Sequence, residues 1–591
     1  MKRYFFILID ILFLPIKKNP IFFCFIYFLG ILTCITECIV LGFNFPKFNL
    51  FSLFFDIYII LAISLIIPPK IRPFYLSLIA FCLYFLAIVN SFCVEIFHAK
   101  IGPEILNVVL ETNKRESSEF FDKYIGTNLF FSYTFLVIIL AIFHITFHFK
   151  WKNLKKVIFV TNKKFITTLE VIFTLLIILS TFICLPSRID LIRLTKAKTI
   201  KEIDNTIGNF SQNSPFNNLV FAIKMRQIAN NGLAVLTETQ QQAKIDSCSF
   251  LSPNIVLIIG ESYIRCHSQL YGYNLETTPK QMQYSQGAIS GHLIPFSNVV
   301  SPSNLTSTVF KHVFSLKSIE DSLDWSFYPL FPTLFKKAGY STFFITNQFV
   351  KSLNTDIFNI SGGLFLNENK LSNIQFSHRN AQSHQYDEAL IQDYDSLKQY
   401  LTDYNLTIFH LAGQHIDFEK RSPKEWKKFN ISNYRKRTDL NNVEKQLVAD
   451  YDNATLYNDY VLSQIIKKFE DKEALVIYMP DHGEECYDEL HRMGRIPGNN
   501  YQPEILRQEY QIPFWIWVSH SYAQKHPVIL KQIIDAKDKP FMTDNLPHML
   551  LFLAGIKCKW YNNKNNPLDT NYNSNRPRLI NGVADFNKIC K

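Results

Sequence analysis

The chain has 591 residues, 48% hydrophobic and 19% charged, a balance that excludes a disordered or collagen-like protein. Its net charge of +11 first suggests a nucleic-acid partner. The excess is confined to three short segments, 1–20, 69–73 and 150–164, with Lys2, Arg3, Lys17, Lys18, Lys70, Arg72 and the lysines from Lys150 to Lys164 against a single acid, Asp10. Elsewhere basic and acidic residues balance, so no nucleic-acid partner is expected.

Each basic segment sits between long apolar runs. A helix needs about 20 apolar residues to cross a bilayer, and five runs qualify, at 21–41, 51–68, 74–97, 128–149 and 165–186. A cleaved signal peptide would show one short apolar stretch, whereas this pattern continues past residue 150, so the chain stays anchored. Basic residues favour the cytoplasmic ends of spans, and loops 42–50 and 98–127, between the basic segments, match their bases with acids. The N-terminus is therefore expected inside and everything after Pro186 outside.

Four acids fall within the spans, where each needs a reason. Glu37, Asp56 and Glu95 approach the outer face, either as structural hydrogen-bond acceptors or as contacts for a cationic lipid headgroup. Glu170, near the inner end, reads as a snorkelling or locally paired residue.

Residues 1–186 thus form a transmembrane domain, 187–250 a polar connector and 251–591 one external globular domain. In that domain the runs 254–260, 341–347, 405–411, 474–480 and 511–519 are short, apolar and rich in β-branched and aromatic residues. Helical stretches separate them. This alternation predicts an α/β domain with a largely parallel sheet buried on both faces, its ligands outside the carboxyl ends of the strands. The rule singles out Glu261-Ser262 after the first run, His410 and His415 at the third, and Asp481-His482-Gly483-Glu484 after the fourth. Glu, Asp and His are ligand types that zinc uses, and a catalytic zinc site has three protein ligands and an open position. Asp481 would serve equally as a helix cap.

A nucleophile is sought in the hydroxyl-rich segment 297–308. Ser303 or Asn304 would cap a helix and place Thr306 in its first turn, where unpaired N–H groups favour an alkoxide or phosphoryl group; a plain serine-rich loop is the competing reading. Of eleven cysteines, Cys248, Cys266, Cys486, Cys558 and Cys590 face an oxidising compartment in this topology, leaving room for one or two disulfides. Cys266 and Cys486 each stand five residues after a candidate ligand, a spacing that would make them neighbours.

The motifs resemble those of a known family. Asn254-Ile-Val-Leu-Ile-Ile-Gly-Glu-Ser-Tyr-Ile-Arg265, with Tyr271-Gly272-Tyr273 and Thr277-Thr278-Pro279, is similar to the opening motif of the phosphoethanolamine transferases, membrane enzymes of the alkaline phosphatase and sulfatase superfamily. Asp481-His482-Gly483-Glu484-Glu485 resembles their second metal motif, His410-Leu-Ala-Gly-Gln-His415 their substrate-histidine segment, and Asn298-Val-Val-Ser-Pro-Ser-Asn-Leu-Thr306 their nucleophile segment. The resemblance implies that Glu261, Thr306, Asp481 and His482 bind a zinc ion, with Thr306 as nucleophile. It matches His415 and His491 to histidines near the substrate phosphate, although His491 follows Asp481 more closely than in the lipid A enzymes. Thr112 and Glu116 match its lipid-substrate segment. The implied reaction takes phosphoethanolamine from phosphatidylethanolamine through a covalent threonine intermediate to lipopolysaccharide, on lipid A or a core sugar. The implied setting is the bacterial inner membrane with a periplasmic catalytic domain. Two alternatives stand beside it: a phosphoglycerol transferase similar to lipoteichoic acid synthase, and a non-catalytic envelope scaffold.

Overall fold

The computed structural model describes residues 2–41, 47–97, 100–101, 132–154, 163–197, 215–348, 364–495 and 500–591. They form two compact units that divide between Asn230 and Asn231.

The first unit is helical: α1 (Lys2–Lys18), α2 (Pro20–Leu41), α3 (Lys47–Ile66), α4 (Arg72–Phe97), α5 (Tyr133–Leu154) and α6 (Lys163–Lys196), followed by α7 (Pro215–Gln242), which crosses the division. Among the described residues three helices are long and apolar enough to cross a membrane, Pro20–Leu41, Arg72–Ile96 and Thr167–Lys196. The other two expected spans appear as shorter apolar helices, Leu50–Ile66 and Tyr133–Phe147. The interior is aromatic: Phe23 packs edge-on against Phe54 and Phe173 with centroids 5.5 and 5.7 Å away.

Every acid expected in the spans has a partner inside the protein. Glu37 meets Lys100 at 2.7 Å and accepts from Asn90 at 2.9 Å. Asp56 pairs with Arg188 at 2.6 Å, and the same guanidinium nitrogen reaches Ser52. Glu95 accepts the opening N–H groups of α5, from Tyr133 at 2.7 Å and Thr134 at 3.0 Å, donors that would otherwise stay orphaned. Glu170 takes Lys17 at 2.9 Å. These internal partners are what the structural reading of the outer acids calls for.

The second unit is built on a seven-stranded sheet. Its strands are β1 (Asn254–Gly260), β2 (His292–Phe296), β3 (Ser341–Thr346), β4 (His378–Arg379), β5 (Asn405–His410), β6 (Ala474–Pro480) and β7 (Phe514–Val518). The spatial order is β2-β7-β6-β1-β5-β3-β4. Pairing is parallel from β6 through β1, β5 and β3 to β4, and antiparallel where β7 joins β6 and β2. The sheet is therefore mixed, with β7 the reversed strand. Alternate residues enter different cores: Ile255, Leu257 and Ile259 join one with Leu475 and Ile477, while Val256 and Ile258 join the other with Val476 and Tyr478. Two-sided burial accounts for the unbroken apolar runs. Two helices matter for the site, α8 (Thr306–Phe314) and the long α9 (Asn442–Lys467), whose start is fixed by a reciprocal Asn441–Glu444 capping box.

Candidate active site and metal centre

Register brings the first two candidate ligands together. Gly260 of β1 lies opposite Pro480 of β6 in the parallel ladder, so the residues leaving those strands, Glu261 and Asp481, emerge side by side. Ser262 adopts a left-handed conformation, φ 52°, and its N–H donates to Asp481 Oδ1 at 3.0 Å while its hydroxyl donates to Glu261 Oε1 at 2.7 Å. On the other side, the loop after β5 presses Gly413 onto Glu261: a Cβ there would stand 2.9 Å from the Glu261 nitrogen.

His482 donates from Nδ1 to the Gly483 carbonyl at 2.8 Å. A carbonyl can only accept, so Nε2 carries a lone pair. Around that lone pair stand further acceptors: Asp481 Oδ2 at 3.0 Å and Glu261 Oε1 at 3.5 Å. Asp481 Oδ2 is buried without a hydrogen-bond partner. The donor atoms of Glu261, Asp481 and His482 all lie within 4.8 Å of one another, and all three residues are buried. The Arg495 guanidinium reaches Nε2 at 2.6 Å, yet Asp481 Oδ2 still lacks a donor, so the buried acceptors leave room for a cation, and one imidazole with two carboxylates suits zinc. Burial pushes the His482 imidazole down to about 3, aided by the nearby Arg495 charge, so the ring is neutral, the form that binds metal. Burial pushes the Asp481 carboxyl up.

Thr306 opens α8. Its hydroxyl oxygen is 3.3 Å from Glu261 Oε2 and 3.3 Å from His482 Nε2. The expected helix cap is different: Leu305 occupies the cap position with no side-chain bond. Asn304 turns instead to Glu509, donating at 2.5 Å. The opening turn is held from outside the helix, which leaves the space beside Thr306 clear of a capping side chain.

His415 is half-buried, its Nδ1 shut from solvent and without a partner, and desolvation pushes the ring down to about 3; Glu261, Arg495 and His482 are among its electrostatic neighbours. His410 lies at the end of β5 with Nδ1 3.0 Å from the Thr346 hydroxyl. His491 is apart from the cluster: its side chain is 64% exposed, 3.4 Å from Glu444 and edge-on to Tyr487. Thr112 and Glu116 lie outside the described residues.

Two residues belong to the cluster that the sequence did not single out for it, Arg495 and Gln348. Arg495 brings Nη1 to 2.6 Å from both His482 Nε2 and the Asn304 carbonyl. Its Nε lies 3.3 Å from Glu484, whose carboxyl burial pushes up to about 7. Gln348 donates to Glu261 Oε2 at 3.2 Å and to the Leu411 carbonyl at 2.7 Å. Gln348 stands two residues past the carboxyl end of β3, so the strand-end rule that found Glu261 would have found it too. Arg495 gave no such signal, lying well past the end of its strand in a loop that also holds Arg492.

The fold and the cluster together define a sulfatase-type α/β domain with a buried group of potential metal ligands at its strand ends. Residues 253–556 match the family model described as Sulfatase, more than half of the chain, and the chain belongs to that family. Phosphoethanolamine transferase EptC of Escherichia coli is 26% identical over 498 residues, 82% of this chain and 79% of its own. Phosphoethanolamine transferase EptA of Helicobacter pylori is 30% identical over 323 residues, 53% of this chain and 57% of its own. Among solved structures, the integral membrane lipooligosaccharide phosphoethanolamine transferase A of Neisseria meningitidis shares the fold. Its TM-score is 0.58 at 17% identity, over 92% of this chain and 98% of that one. These relatives bear out the resemblance read from the motifs.

Proposed function

We propose that this chain is a zinc-dependent phosphoethanolamine transferase of the inner membrane, working on the periplasmic side through the domain at 251–591. The observation that carries the reading is the Thr306 hydroxyl, 3.3 Å from both Glu261 and His482 at a point where buried lone pairs converge. The names of the curated relatives support the transferred group and point to a lipid A or lipopolysaccharide acceptor.

Glu261, Asp481, His482 and Thr306 would hold the ion. Bound there, zinc lowers the pKa of the threonine hydroxyl and polarises a phosphoryl oxygen. The chain's own part begins with placement: the α8 terminus presents Thr306 Oγ to the phosphorus of phosphatidylethanolamine, with Arg495 and the bare His415 nitrogen beside the phosphoryl oxygens. A new O–P bond to Thr306 forms as the bond to diacylglycerol breaks. The threonine proton leaves with the diacylglycerol oxygen, and phosphoethanolamine remains on the enzyme. The acceptor hydroxyl or phosphate then enters from the opposite side, returning a proton to Thr306. Thr112 and Glu116 are proposed contacts for the lipid headgroup. The basic ends of the spans support a cytoplasmic N-terminus, and residues 1–186 would keep the enzyme among its lipid substrates.

Peptide mass spectrometry tests this directly. Detergent-purified, zinc-loaded protein incubated with phosphatidylethanolamine should carry phosphoethanolamine on the Thr306 peptide and release diacylglycerol, and Thr306→Ala should do neither. A phosphoglycerol adduct in a mixed-lipid incubation would move the assignment to that donor. An unmodified peptide with no diacylglycerol would refute the transferase reading.

A further inference from the structure

A second set of metal-type donors lies outside the cluster around Thr306. After Glu261 the chain enters a short turn, Arg265–His267, where Cys266 and His267 meet Asp488 from the loop that follows Asp481–His482. His267 Nε2 is 3.0 Å from Asp488 Oδ2, and Cys266 Sγ is 3.5 Å from the same oxygen. The three donor atoms lie within 4.8 Å of one another. Cys266 Sγ also approaches Gln508 Oε1 at 3.3 Å, and Asp488 Oδ1 has Arg437 3.9 Å away.

What lies behind the imidazole sets this group apart from a chance cluster. Asp452, wholly buried on α9, faces Nδ1 at 2.5 Å. Its other oxygen accepts from the Tyr273 hydroxyl at 2.8 Å and the Tyr434 hydroxyl at 2.5 Å. With both oxygens committed, Asp452 holds the Nδ1 proton and turns Nε2 toward Cys266 and Asp488. A carboxylate gripping the far nitrogen is the usual support of a metal-bound histidine, since it fixes the tautomer and strengthens the ligand. Tyr273 stacks on the same ring, centroids 4.6 Å apart, and Tyr451 meets it edge-on, so the imidazole cannot swing away. The other two donors face outward: Cys266 is exposed, and the Asp488 side chain is 22% exposed. A fixed inner ligand, two outer ligands and a solvent-facing fourth position make a three-residue site with an open coordination place.

We propose that Cys266, His267 and Asp488 form a second cation site, suited to zinc or a comparably thiophilic divalent ion, with Asp452 as the carboxylate that orients His267. Binding displaces the proton of the Cys266 thiol and leaves His267 with its Nδ1 proton alone. The ion joins the turn after Glu261 to the loop after His482, so it braces both strand ends that carry the first cluster. A thiolate ligand selects against magnesium and calcium.

Sulfur makes the test specific, because the Glu261, Thr306, Asp481 and His482 set offers only oxygen and nitrogen. Full-length protein in detergent, stripped of metal and titrated with zinc, is read by metal content per chain and by X-ray absorption at the zinc edge. Two zinc ions per chain are expected, with a sulfur shell at about 2.3 Å. Cys266→Ser should remove that shell and one equivalent, and Asp488→Asn should weaken the same equivalent by about 10-fold or more. The shell should survive His482→Ala, which separates this site from the first whatever the fate of the transferase reading. A spectrum without sulfur, an unchanged stoichiometry in Cys266→Ser, or Cys266 recovered in a disulfide with Cys486 would overturn the proposal.

Discussion

Gly483 offers the sharpest test of how the first cluster is held. A Cβ at this position would stand 2.1 Å from the Gln508 carbonyl oxygen, short of van der Waals contact by more than about 1 Å. Neither side has room to give. The Gly483 N–H donates to the Glu509 carbonyl at 2.9 Å, so residues 508 and 509 cannot withdraw without losing that bond. The Gly483 carbonyl accepts from His482 Nδ1 at 2.8 Å, so the turn cannot rotate without releasing the ring. Gly483→Ala should therefore cost about 1–3 kcal/mol of stability through overpacking. It should also weaken zinc binding by about 10–100-fold, because the group that orients a ligating histidine moves with the turn. That loss equals about 1.4–2.7 kcal/mol of binding energy. Denaturant unfolding without metal reads the first quantity, and chelator competition reads the second. An alanine variant that unfolds at the wild-type denaturant concentration and holds zinc at wild-type affinity would refute the argument.

Four further outcomes are expected. Arg188→Met leaves Asp56 uncompensated and should destabilise the helical unit by about 3–5 kcal/mol, whereas adding Asp56→Asn should recover most of the loss, as read by thermal unfolding in detergent. Thr306→Ser should keep the phosphoethanolamine adduct that Thr306→Ala loses, measured on the same peptide. His491→Ala should leave turnover within about twofold of wild type, since its exposed ring faces Glu444; a 100-fold loss would return it to the site. The histidine contribution to stability should fall between pH 7 and pH 5: burial pushes His410 down to about 3 and His548 down to about 4, so below about pH 6.5 the unfolded chain binds protons that the folded one refuses, while the Glu484 carboxyl, pushed up to about 7, works in the opposite direction over the same range. Each of the two histidines contributes a loss of about 2 kcal/mol at pH 5. His267 acts in the opposite sense. Burial disfavours its charged ring, but Asp488 and Asp452 outweigh that and push it up to about 10, so its contribution in metal-free protein is complete below about pH 6.5 and is lost as pH rises toward 10. Urea midpoints at pH 5, 7 and 9 for wild type and for His548→Gln check both signs, and a His548→Gln variant whose midpoint drops from pH 7 to 5 as far as that of wild type would contradict the first.

Strand positions were legible because burial on both faces writes itself as an unbroken apolar run, and ligand positions because parallel strands end on one edge. Direction was not. The run that became β7 is as apolar as its parallel neighbours, since composition reports burial and says nothing of polarity. The edge strand β2 was hidden by Pro295, which only an edge position accommodates. Asn304 read as a cap because the sequence cannot show that Glu509, 205 positions away, competes for its amide. Arg495 escaped for the same reason: its partners His482, Asn304 and Glu484 come together only in three dimensions. In the spans, hydropathy located the acids, but their partners Arg188, Lys100 and Lys17 belong to other segments.

Those ion pairs also impose a timetable on biogenesis. Lys17 and Glu170 are 153 positions apart, and Asp56 waits for Arg188 across 132. At about 5–20 residues per second the ribosome needs roughly 7–30 seconds to supply the later partner. During that interval the early helices hold half-complete charge pairs, a poor match for hydrocarbon. The helical unit therefore cannot settle until α6 arrives, and a chain truncated before Arg188 should present surveillance proteases with exposed charges that the finished protein conceals.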